Sequence, residues 1–116
     1  MNAVAESRIT LKPEVAEFCA RAVAALHAKL PVREVWLFGS QAEGTANRHS
    51  DYDFLVVLAD DHGIRRPNLE SYSAISDVAH SESVDALSAT ESRWRREQAA
   101  PWGLFGDIVR KGVRIG

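Results

Sequence analysis

Apolar and polar positions recur along the chain with two different periods, and each change of period marks a boundary between predicted elements. Over Pro13–Leu30 the apolar residues return every three or four positions, which predicts a helix with one apolar face. Pro13 suits the first turn of this helix, and Pro31 ends it because proline has no N–H to donate. Residues 1–12 lack any period, so we expect a loose lead-in before a single folded unit over 13–116.

Two short apolar runs predict strands at the centre of the fold. Glu34–Phe38 (EVWLF) is almost wholly apolar, and Asp51–Leu58 (DYDFLVVL) is apolar after its acidic start. Such runs are typical of strands that are buried on both faces of a sheet. The small and polar residues between them, QAEGTANRHS, predict a loop or a short helical turn.

The second half of the chain predicts two more helices and two more strands. These are a helix from the candidate N-cap Asn68 to about Ala79, a strand over Ser83–Leu87, a helix that Pro101 opens and Gly112 ends, and a strand over Val113–Ile115. We expect Leu69, Tyr72, Ile75 and Ala79 to form the inner face of the first of these helices. Together the elements indicate an α/β (α+β) fold with helices packed on a sheet.

An arginine-rich segment that begins at Thr90 has no clear period, and we expect it to be a polar, solvated stretch. Trp94 lies within this segment, and Trp102 follows it. Both are large apolar residues outside any pattern, so each of them either covers the sheet or marks a surface for a partner.

Composition narrows the class of protein. The 116 residues fit one domain, and the formal net charge of −2 excludes a generally basic nucleic-acid coat protein. The single cysteine, Cys19, excludes an internal disulfide and lies on the apolar face of the first helix, where we expect it in the core. The sequence shows no signal peptide and no membrane-spanning stretch, and we expect a reducing, cytoplasmic location.

Asp51 and Asp53 carry the clearest chemistry in the sequence. Residues two apart in a strand point to the same face, so these carboxylates lie side by side with their Cα atoms about 7 Å apart. Like charges on one strand face destabilise a fold unless a cation removes the repulsion. Mg²⁺ prefers carboxylate oxygens, and two such ions can hold the attacking and leaving oxygens of a phosphoryl-type displacement. The alternative is a solvated pair of acids at a strand end.

A turn that suits phosphate precedes these acids. Gly39-Ser40 follows directly on a buried strand, where glycine lets the backbone approach a ligand closely. Ser40 offers a hydroxyl and an N–H to a phosphate oxygen, and a short helix after it would add further N–H groups. Arg48 lies just before the acids and is a candidate phosphate contact, or else a solvated loop residue.

A third carboxylate would complete a site for two metal ions. Asp85 in the run SVDAL is the leading candidate, because it joins the other acids if its strand lies next to that of Asp51. Asp77 and Asp107 compete for this role, but both lie in predicted helices with polar surroundings, which favours a solvated position for them.

The stretch GSQAEGTANRHSDYDFLVV resembles the signature of the minimal nucleotidyltransferases of the DNA polymerase β superfamily. In that signature, Gly-Ser is followed by ten residues and then by Asp-x-Asp on a strand. The later VDAL and the closing IVRKGVRIG are similar to the rest of the family's layout, so the resemblance covers about residues 13–116. It implies the nucleotidyltransferase fold, which is a small mixed β-sheet flanked by helices.

The resemblance also implies a role for each candidate residue. By this resemblance, Gly39 and Ser40 hold the triphosphate of the incoming nucleotide. Asp51 and Asp53 coordinate two Mg²⁺ ions, and Asp85 helps to bind the catalytic metal and activates the acceptor hydroxyl. The implied reaction is the transfer of a nucleoside monophosphate, AMP from ATP, to that hydroxyl, with pyrophosphate as the leaving group.

Stand-alone members of this family are often the antitoxin of a pair with a HEPN-type ribonuclease toxin, and the resemblance implies that this chain transfers AMP to such a toxin. Two alternatives are a small-molecule transferase similar to aminoglycoside-modifying enzymes and a module that neutralises a toxin by binding alone. We expect no membrane association and no stable binding of nucleic acid, and either a homo-oligomer or a hetero-oligomer fits this prediction.

Overall fold

The computed structural model describes residues 10–116, which form a four-stranded sheet with helices on both of its faces. Its elements are α1 (Pro13–Lys29), β1 (Val32–Phe38), α2 (Ser40–Glu43), β2 (Tyr52–Leu58), α3 (Pro67–Ser76), β3 (Val84–Thr90), α4 (Glu91–Gln98), α5 (Leu104–Lys111) and β4 (Val113–Arg114). Of the predicted lead-in, residues 1–9 lie outside the described part, and residues 10–12 have no regular structure. The predicted α/β (α+β) class, with a mixed sheet and flanking helices, is confirmed.

The first helix packs its apolar stripe against the sheet. Pro13 stands at its N-terminus, as predicted, and the backbone N–H of Leu30 closes its last turn. Phe18 is fully buried and makes edge-on contacts with the rings of Tyr52 and Phe54, so aromatic packing joins α1 to β2. α1 has 17 residues. No helix within residues 10–116 is both long enough and apolar enough to cross a bilayer.

Burial decides the chemistry of the single cysteine. Cys19 lies on the inner face of α1, in the core, as predicted. Burial raises the pKa of its thiol from 9.0 to about 12, because the charged thiolate is poorly solvated there. The thiol is therefore protonated at neutral pH, and Cys19 serves as an apolar core residue instead of a nucleophile.

The strands lie in the order β3-β2-β1-β4. β1 is antiparallel to both of its neighbours, whereas β2 and β3 are parallel and are joined through α3. A parallel pair needs such a crossover element, because the chain must return to the same end before it can form the second strand. This topology brings the C-terminal end of β1 and the N-terminal ends of β2 and β3 to the same end of the sheet.

The two faces of the sheet carry separate apolar cores. Strand residues alternate between faces, so Phe54, Val56 and Leu58 of β2 pack toward α1 and α3. Leu55 and Val57 pack on the opposite face, against α4 and α5. All five side chains are fully buried, which explains why this run has no polar position.

An eight-residue helix, α4, forms where the sequence pattern predicted a polar segment. Its sequence ESRWRREQ has one apolar residue, and a single apolar residue produces no helical period. That residue, Trp94, is 1% exposed and covers the sheet, in contact with Trp36 and Phe105. Trp102, by contrast, is 75% exposed, so the two tryptophans without a pattern have opposite environments.

Two helices begin at positions other than those predicted. α3 begins at Pro67, and the side chain of Asn68 does not cap it. Instead, the Asn68 Oδ1 accepts the backbone N–H of Ser88 at 2.8 Å, which satisfies one donor on the outer edge of β3. The last helix, α5, begins at Leu104 and not at Pro101, because a glycine with a positive φ separates the two.

The predicted inner face of α3 was wrong for two of its four residues. Leu69 and Tyr72 are 51% and 43% exposed, whereas Ile75 is fully buried as predicted. The helix turns Ser71 and Ala74 inward instead, toward the core that α1 and α3 share. Small side chains on this stripe let the helix approach its neighbours closely. A search for large apolar residues does not find such a stripe, because two of its members are serine and alanine.

One side chain on this stripe is polar and lacks a partner. Ser71 is 0% exposed, and its hydroxyl has no hydrogen-bond partner among the described residues. Because an unsatisfied buried hydroxyl is costly, we expect Ser71→Ala to raise the free energy of unfolding by about 1 kcal/mol, measured by urea denaturation. Ser73→Ala at an exposed position of α3 is the control, since it changes helix propensity equally. Equal gains in the two variants would contradict the prediction.

Candidate active site

Three acidic residues come together at one end of the sheet. Asp51 directly precedes β2, Asp53 is the second residue of β2, and Asp85 is the second residue of β3. Because β2 and β3 are parallel neighbours, their register pairs Asp53 directly with Asp85. The strand that carries Asp85 therefore lies next to the strand that carries Asp53, which is the condition for Asp85 to join the other acids.

Asp53 and Asp85 occupy the open end of one sheet face. Asp53 and Asp85 alternate along their strands with residues that face α4 and α5, so they point to that same face, in line with Leu55 and Leu87. Asp51 and Asp85 are exposed and Asp53 is half-buried, so this end of the face is open to solvent. A ligand can therefore reach Asp53 and Asp85 from this side.

The charges at this end are not neutralised from within the described part of the chain. None of the three carboxylates forms an ion pair with any residue in 10–116. Burial, and then the charges of Asp85 and Asp51, raise the pKa of Asp53 above its ordinary value of 3.8. A bound cation would relieve this repulsion.

Gly39 forms a turn that touches Asp53. Its φ of 77° and ψ of −161° lie in a region that is essentially restricted to glycine. A β-carbon built on Gly39 would lie 2.4 Å from the Oδ2 atom of Asp53, so no side chain fits between the two. The contact arises because Phe38, the residue before Gly39, pairs with Asp53 across β1 and β2. The approach of this glycine to a ligand stays a prediction, and the structure adds an approach to the acid itself.

A one-turn helix, α2, begins directly after this turn. Gly39 is its N-cap, and the Gly39 carbonyl accepts the backbone N–H groups of Ala42 and Glu43 at 3.1 Å each. The first N–H groups of a helix have no acceptor within it, so those of Ser40 and Gln41 are available to a ligand. The predicted loop or helical turn is therefore a short helix that begins at the acidic end of the sheet.

The remaining candidate residues have other surroundings. Arg48 is exposed, and its side chain contacts the neighbouring imidazole of His49, so its contact with phosphate stays a prediction. Asp77 pairs with Lys29 at 2.7 Å, and Asp107 pairs with an arginine of α5. These two acids take part in exposed ion pairs and do not join the acidic group.

A groove of about 720 Å³ adjoins the acids. It is lined by Lys12, Glu14, Val15, Gln41, 46–52 and 81–83, and Asp51 is therefore part of its wall. Sequence patterns do not indicate this groove, because segments far apart along the chain assemble it. Of the residues in its wall, sequence reasoning identified only Asp51 and Arg48 as site candidates and missed the others, Tyr52 and Glu82 among them.

Arg21 of α1 holds the segment that leads into β3. Its guanidinium pairs with Glu17 at 2.8 Å, as the four-residue spacing predicts, and with Glu82 at 3.3 Å. It also donates to the carbonyl of Val78. The segment between α3 and β3 is thereby tied to α1, and this segment positions the start of the strand that carries Asp85.

The donor set at the acidic end suits a hard divalent cation. The three carboxylates offer only oxygen ligands, which Mg²⁺ prefers, and the repulsion at Asp53 favours a bound cation. Within the described residues, no three acidic, histidine or cysteine side chains are already gathered as a metal cluster. Because Asp51 and Asp85 are exposed, their side chains are free to rotate toward an ion. The residues therefore fit the predicted metal, and the number of ions stays a prediction.

Comparison of the sequence with known protein families places this site in context. The profile of the nucleotidyltransferase domain matches residues 19–98, a span that includes the Gly39 turn and all three acids. The chain belongs to this family. The prediction that the chain is a nucleotidyltransferase is thus confirmed. No curated protein is significantly similar to the chain in sequence.

Solved structures share the fold of this nucleotidyltransferase domain. One chain of a toxin–antitoxin crystal structure with AMP-PNP is 22% identical to this chain in sequence, with a TM-score of 0.63. The match covers 84% of this chain and 72% of that one. One chain of a mutant of the toxin–antitoxin MntA-HpeT is 20% identical in sequence, with a TM-score of 0.62. The match covers 84% of this chain and 72% of that one. A candidate nucleotidyltransferase from Sulfolobus solfataricus is 26% identical in sequence, with a TM-score of 0.51. The match covers 72% of this chain and 73% of that one. The nucleotidyltransferase fold is therefore confirmed.

Proposed function

We propose that this nucleotidyltransferase domain transfers AMP from ATP to a hydroxyl group of a partner protein, with Mg²⁺ as its cofactor, in the cytoplasm. The register that pairs Asp53 with Asp85 beside the Gly39 turn is the observation that carries this proposal. Nucleotidyl transfer requires metal-binding oxygens next to a backbone that can hold phosphate, and this arrangement supplies both.

Each residue of the site has a proposed task in binding. Backbone N–H groups at the Gly39 turn and the Ser40 hydroxyl hold the triphosphate, and Arg48 offsets part of its charge. The residues that would hold two Mg²⁺ ions are Asp51, Asp53 and Asp85. Bound Mg²⁺ supplies Lewis-acid stabilisation of the charge that develops on the phosphate oxygens.

The proposed reaction is an in-line displacement at the α-phosphorus of ATP. The acceptor oxygen forms a bond to this phosphorus, the bond from phosphorus to the bridging oxygen breaks, and pyrophosphate leaves. Asp85 takes the proton of the acceptor hydroxyl, since it is exposed and lies beside Asp53. The Gly39 turn keeps Asp53 in place during this step, because the two are in contact.

We further infer that the partner is a HEPN-type toxin and that this chain is its antitoxin. Two structures with the same fold are toxin–antitoxin complexes, and one of them was determined with AMP-PNP. The MntA-HpeT complex carries two aspartate-to-glutamate substitutions two positions apart, which is the spacing of Asp51 and Asp53 here. These observations support a toxin as the acceptor of AMP.

Transfer of label from ATP to a partner tests the proposal. We expect the purified chain, with Mg²⁺ and ATP labelled at its α-phosphate, to label the product of the adjacent gene, and EDTA to abolish the labelling. The control is a double variant, Asp51→Asn with Asp53→Asn, which preserves the shape of the site but removes two charges. Labelling that persists in this variant would contradict the proposal.

Two further results would point to the alternative functions. A variant with all three acids replaced by alanine that still neutralises the toxin in cells would indicate neutralisation by binding alone. Label that appears on a hydroxylated antibiotic instead of the partner protein would indicate a small-molecule transferase. Neither result can be confused with a simple loss of Mg²⁺-dependent labelling of the partner, so each identifies its own alternative.

A further inference from the structure

The groove beside Asp51 is largely distinct from the residues proposed to hold the triphosphate and shares Arg48 with them. Its lining includes Asp51, but not the Gly39 turn, Ser40 or Asp53. It reaches from the first turn of α1 to the segment just before β3, so it lies at the acidic end of the sheet, on the side that α1 covers. Because Gly39 and Ser40 lie outside the groove, a second substrate can occupy it while the triphosphate is held at the Gly39 turn.

We propose that this groove binds a polypeptide segment that carries the acceptor hydroxyl. We call it the acceptor groove, and its lining is Lys12, Glu14, Val15, Gln41, 46–52 and 81–83. This inference rests on the proposed nucleotidyl transfer, and it names the chemical class of the second substrate and the surface that holds it.

The position of the groove supports this assignment. Asp51 forms part of one wall, and the 81–83 segment leads to Asp85 two residues further along. The backbone N–H of Tyr52 donates to the carbonyl of Ser83 at 2.8 Å, so the floor of the groove is continuous with the sheet that carries the acids. A segment that lies in the groove therefore passes beside Asp51, one of the three proposed metal ligands.

The lining of the groove suits a polypeptide backbone. Small polar side chains surround it, namely Asn47, Ser50, Ser81 and Ser83 together with the amide of Gln41. Such groups donate and accept hydrogen bonds, as do the peptide groups of an extended segment.

The charge of the groove argues against a polycationic acceptor such as an aminoglycoside. Two cations, Lys12 and Arg48, face three carboxylates, those of Glu14, Asp51 and Glu82. Glu82 is already paired with an arginine of α1, so the groove as a whole is close to neutral. A ligand with several positive charges gains little in such a groove, whereas a polypeptide with side chains of both signs fits it.

Among the described residues that line the groove, no phenylalanine, tyrosine or tryptophan ring is open to a nucleobase, and the exposed aromatic ring is the imidazole of His49. Tyr52 is the only phenylalanine, tyrosine or tryptophan in its lining among the described residues, and it is 7% exposed. The walls are held by contacts within the chain, because Arg21 binds Glu82 and the Gln41 amide donates to the Ser50 carbonyl at 3.4 Å. A preformed groove of this kind binds an extended segment with a smaller loss of conformational entropy.

Bulky substitutions that fill the groove test the proposal. Ser81→Trp and Ser83→Trp are two independent variants, because both residues are exposed within the groove. Ser73→Trp, at an exposed position of α3 outside the groove, is the matched control. We expect the two groove variants to raise the KM for the product of the adjacent gene by about tenfold or more. The Ser73→Trp variant keeps the wild-type value.

Two binding measurements separate this proposal from the proposed function. The affinity for Mg²⁺-ATP, followed by thermal shift, stays unchanged in the groove variants. The affinity for the product of the adjacent gene, measured without ATP by calorimetry, falls by about tenfold or more in the groove variants alone. Because this second measurement needs no catalysis, it tests the groove even if the wild-type chain transfers no label.

Three outcomes would overturn the acceptor groove. The groove variants would bind and label the partner as well as Ser73→Trp does, or they would lose Mg²⁺-ATP affinity, which would assign the groove to the nucleoside. In the third outcome, kanamycin would be labelled and the groove variants would block that labelling, which would assign a small-molecule acceptor. A wild-type chain that binds the partner through the groove yet transfers no label contradicts the proposed function and leaves the groove in place.

Discussion

Asp53→Asn will abolish nucleotidyl transfer while it leaves the metal-free protein at least as stable as the wild type. We expect the rate of labelling to fall by about 10³-fold, because a neutral amide is a poor ligand for Mg²⁺ and stabilises less charge in the transition state. Stability should rise by about 0.5–1 kcal/mol at neutral pH, because the substitution removes a half-buried charge that faces Asp85 across the strands.

The pH dependence of the stability gain identifies its cause. The pKa of Asp53 is higher in the folded chain than its ordinary value of 3.8, so its ionisation lowers stability as the pH rises through the folded pKa. The gain from Asp53→Asn is therefore present at neutral pH and lost near about pH 3, where the carboxyl is protonated in both states. Urea denaturation in EDTA at the two pH values measures this difference.

A surface acid supplies the control for Asp53. Asp77 forms an exposed ion pair with Lys29, away from the acidic end of the sheet, and Asp77→Asn should keep full activity. Its effect on stability should be small, since exposed ion pairs contribute about 0–1 kcal/mol. If Asp53→Asn kept activity near that of Asp77→Asn, the proposed role of Asp53 would be wrong.

Gly39→Ala will reduce both stability and activity. The backbone at Gly39 lies in a region where a β-carbon causes strain, so we expect a loss of about 1–3 kcal/mol in the free energy of unfolding. The new methyl group also meets the Oδ2 atom of Asp53, and the carboxylate must move to accept it. A shift of about 1 Å in a metal-binding group is expected to slow labelling by about 100-fold.

Gly44→Ala is the matched control for this substitution. Gly44 ends α2 with a φ of 78°, close to that of Gly39, and a β-carbon there would meet nothing within 4 Å. Its ψ of 14° lies in the left-handed helical region, which alanine enters at a cost of about 1 kcal/mol. We therefore expect a small loss of stability and no loss of activity.

A double-mutant cycle isolates the contact between Gly39 and Asp53. In the Asp53→Ala background the Oδ2 atom is absent, so Gly39→Ala should cost about 1 kcal/mol less than it does in the wild type. The remaining cost reports the backbone strain alone. Equal costs in the two backgrounds would show that the carboxylate does not oppose the substitution.

Local features of this fold were open to prediction because they depend on near neighbours in the chain. The apolar run after Asp53 identified β2, and the helical period after Pro13 identified α1. The same reasoning failed for α4, in which Trp94 alone reaches the core. It also failed for the inner face of α3, where the small residue Ser71 faces inward while Leu69 lies at the surface.

The amino-acid sequence by itself determined the types of the main elements, the spacing of the Gly39 turn and Asp51, and the chemical character of the acids. Short stretches carry this information, since strand period, helix period and carboxylate chemistry need only local sequence. Only the tertiary structure decided that Asp53 pairs with Asp85, that Gly39 touches Asp53, and that a groove opens beside Asp51. Each of these depends on the register between strands and on contacts between distant segments, which the pairing and packing of the whole chain settle together.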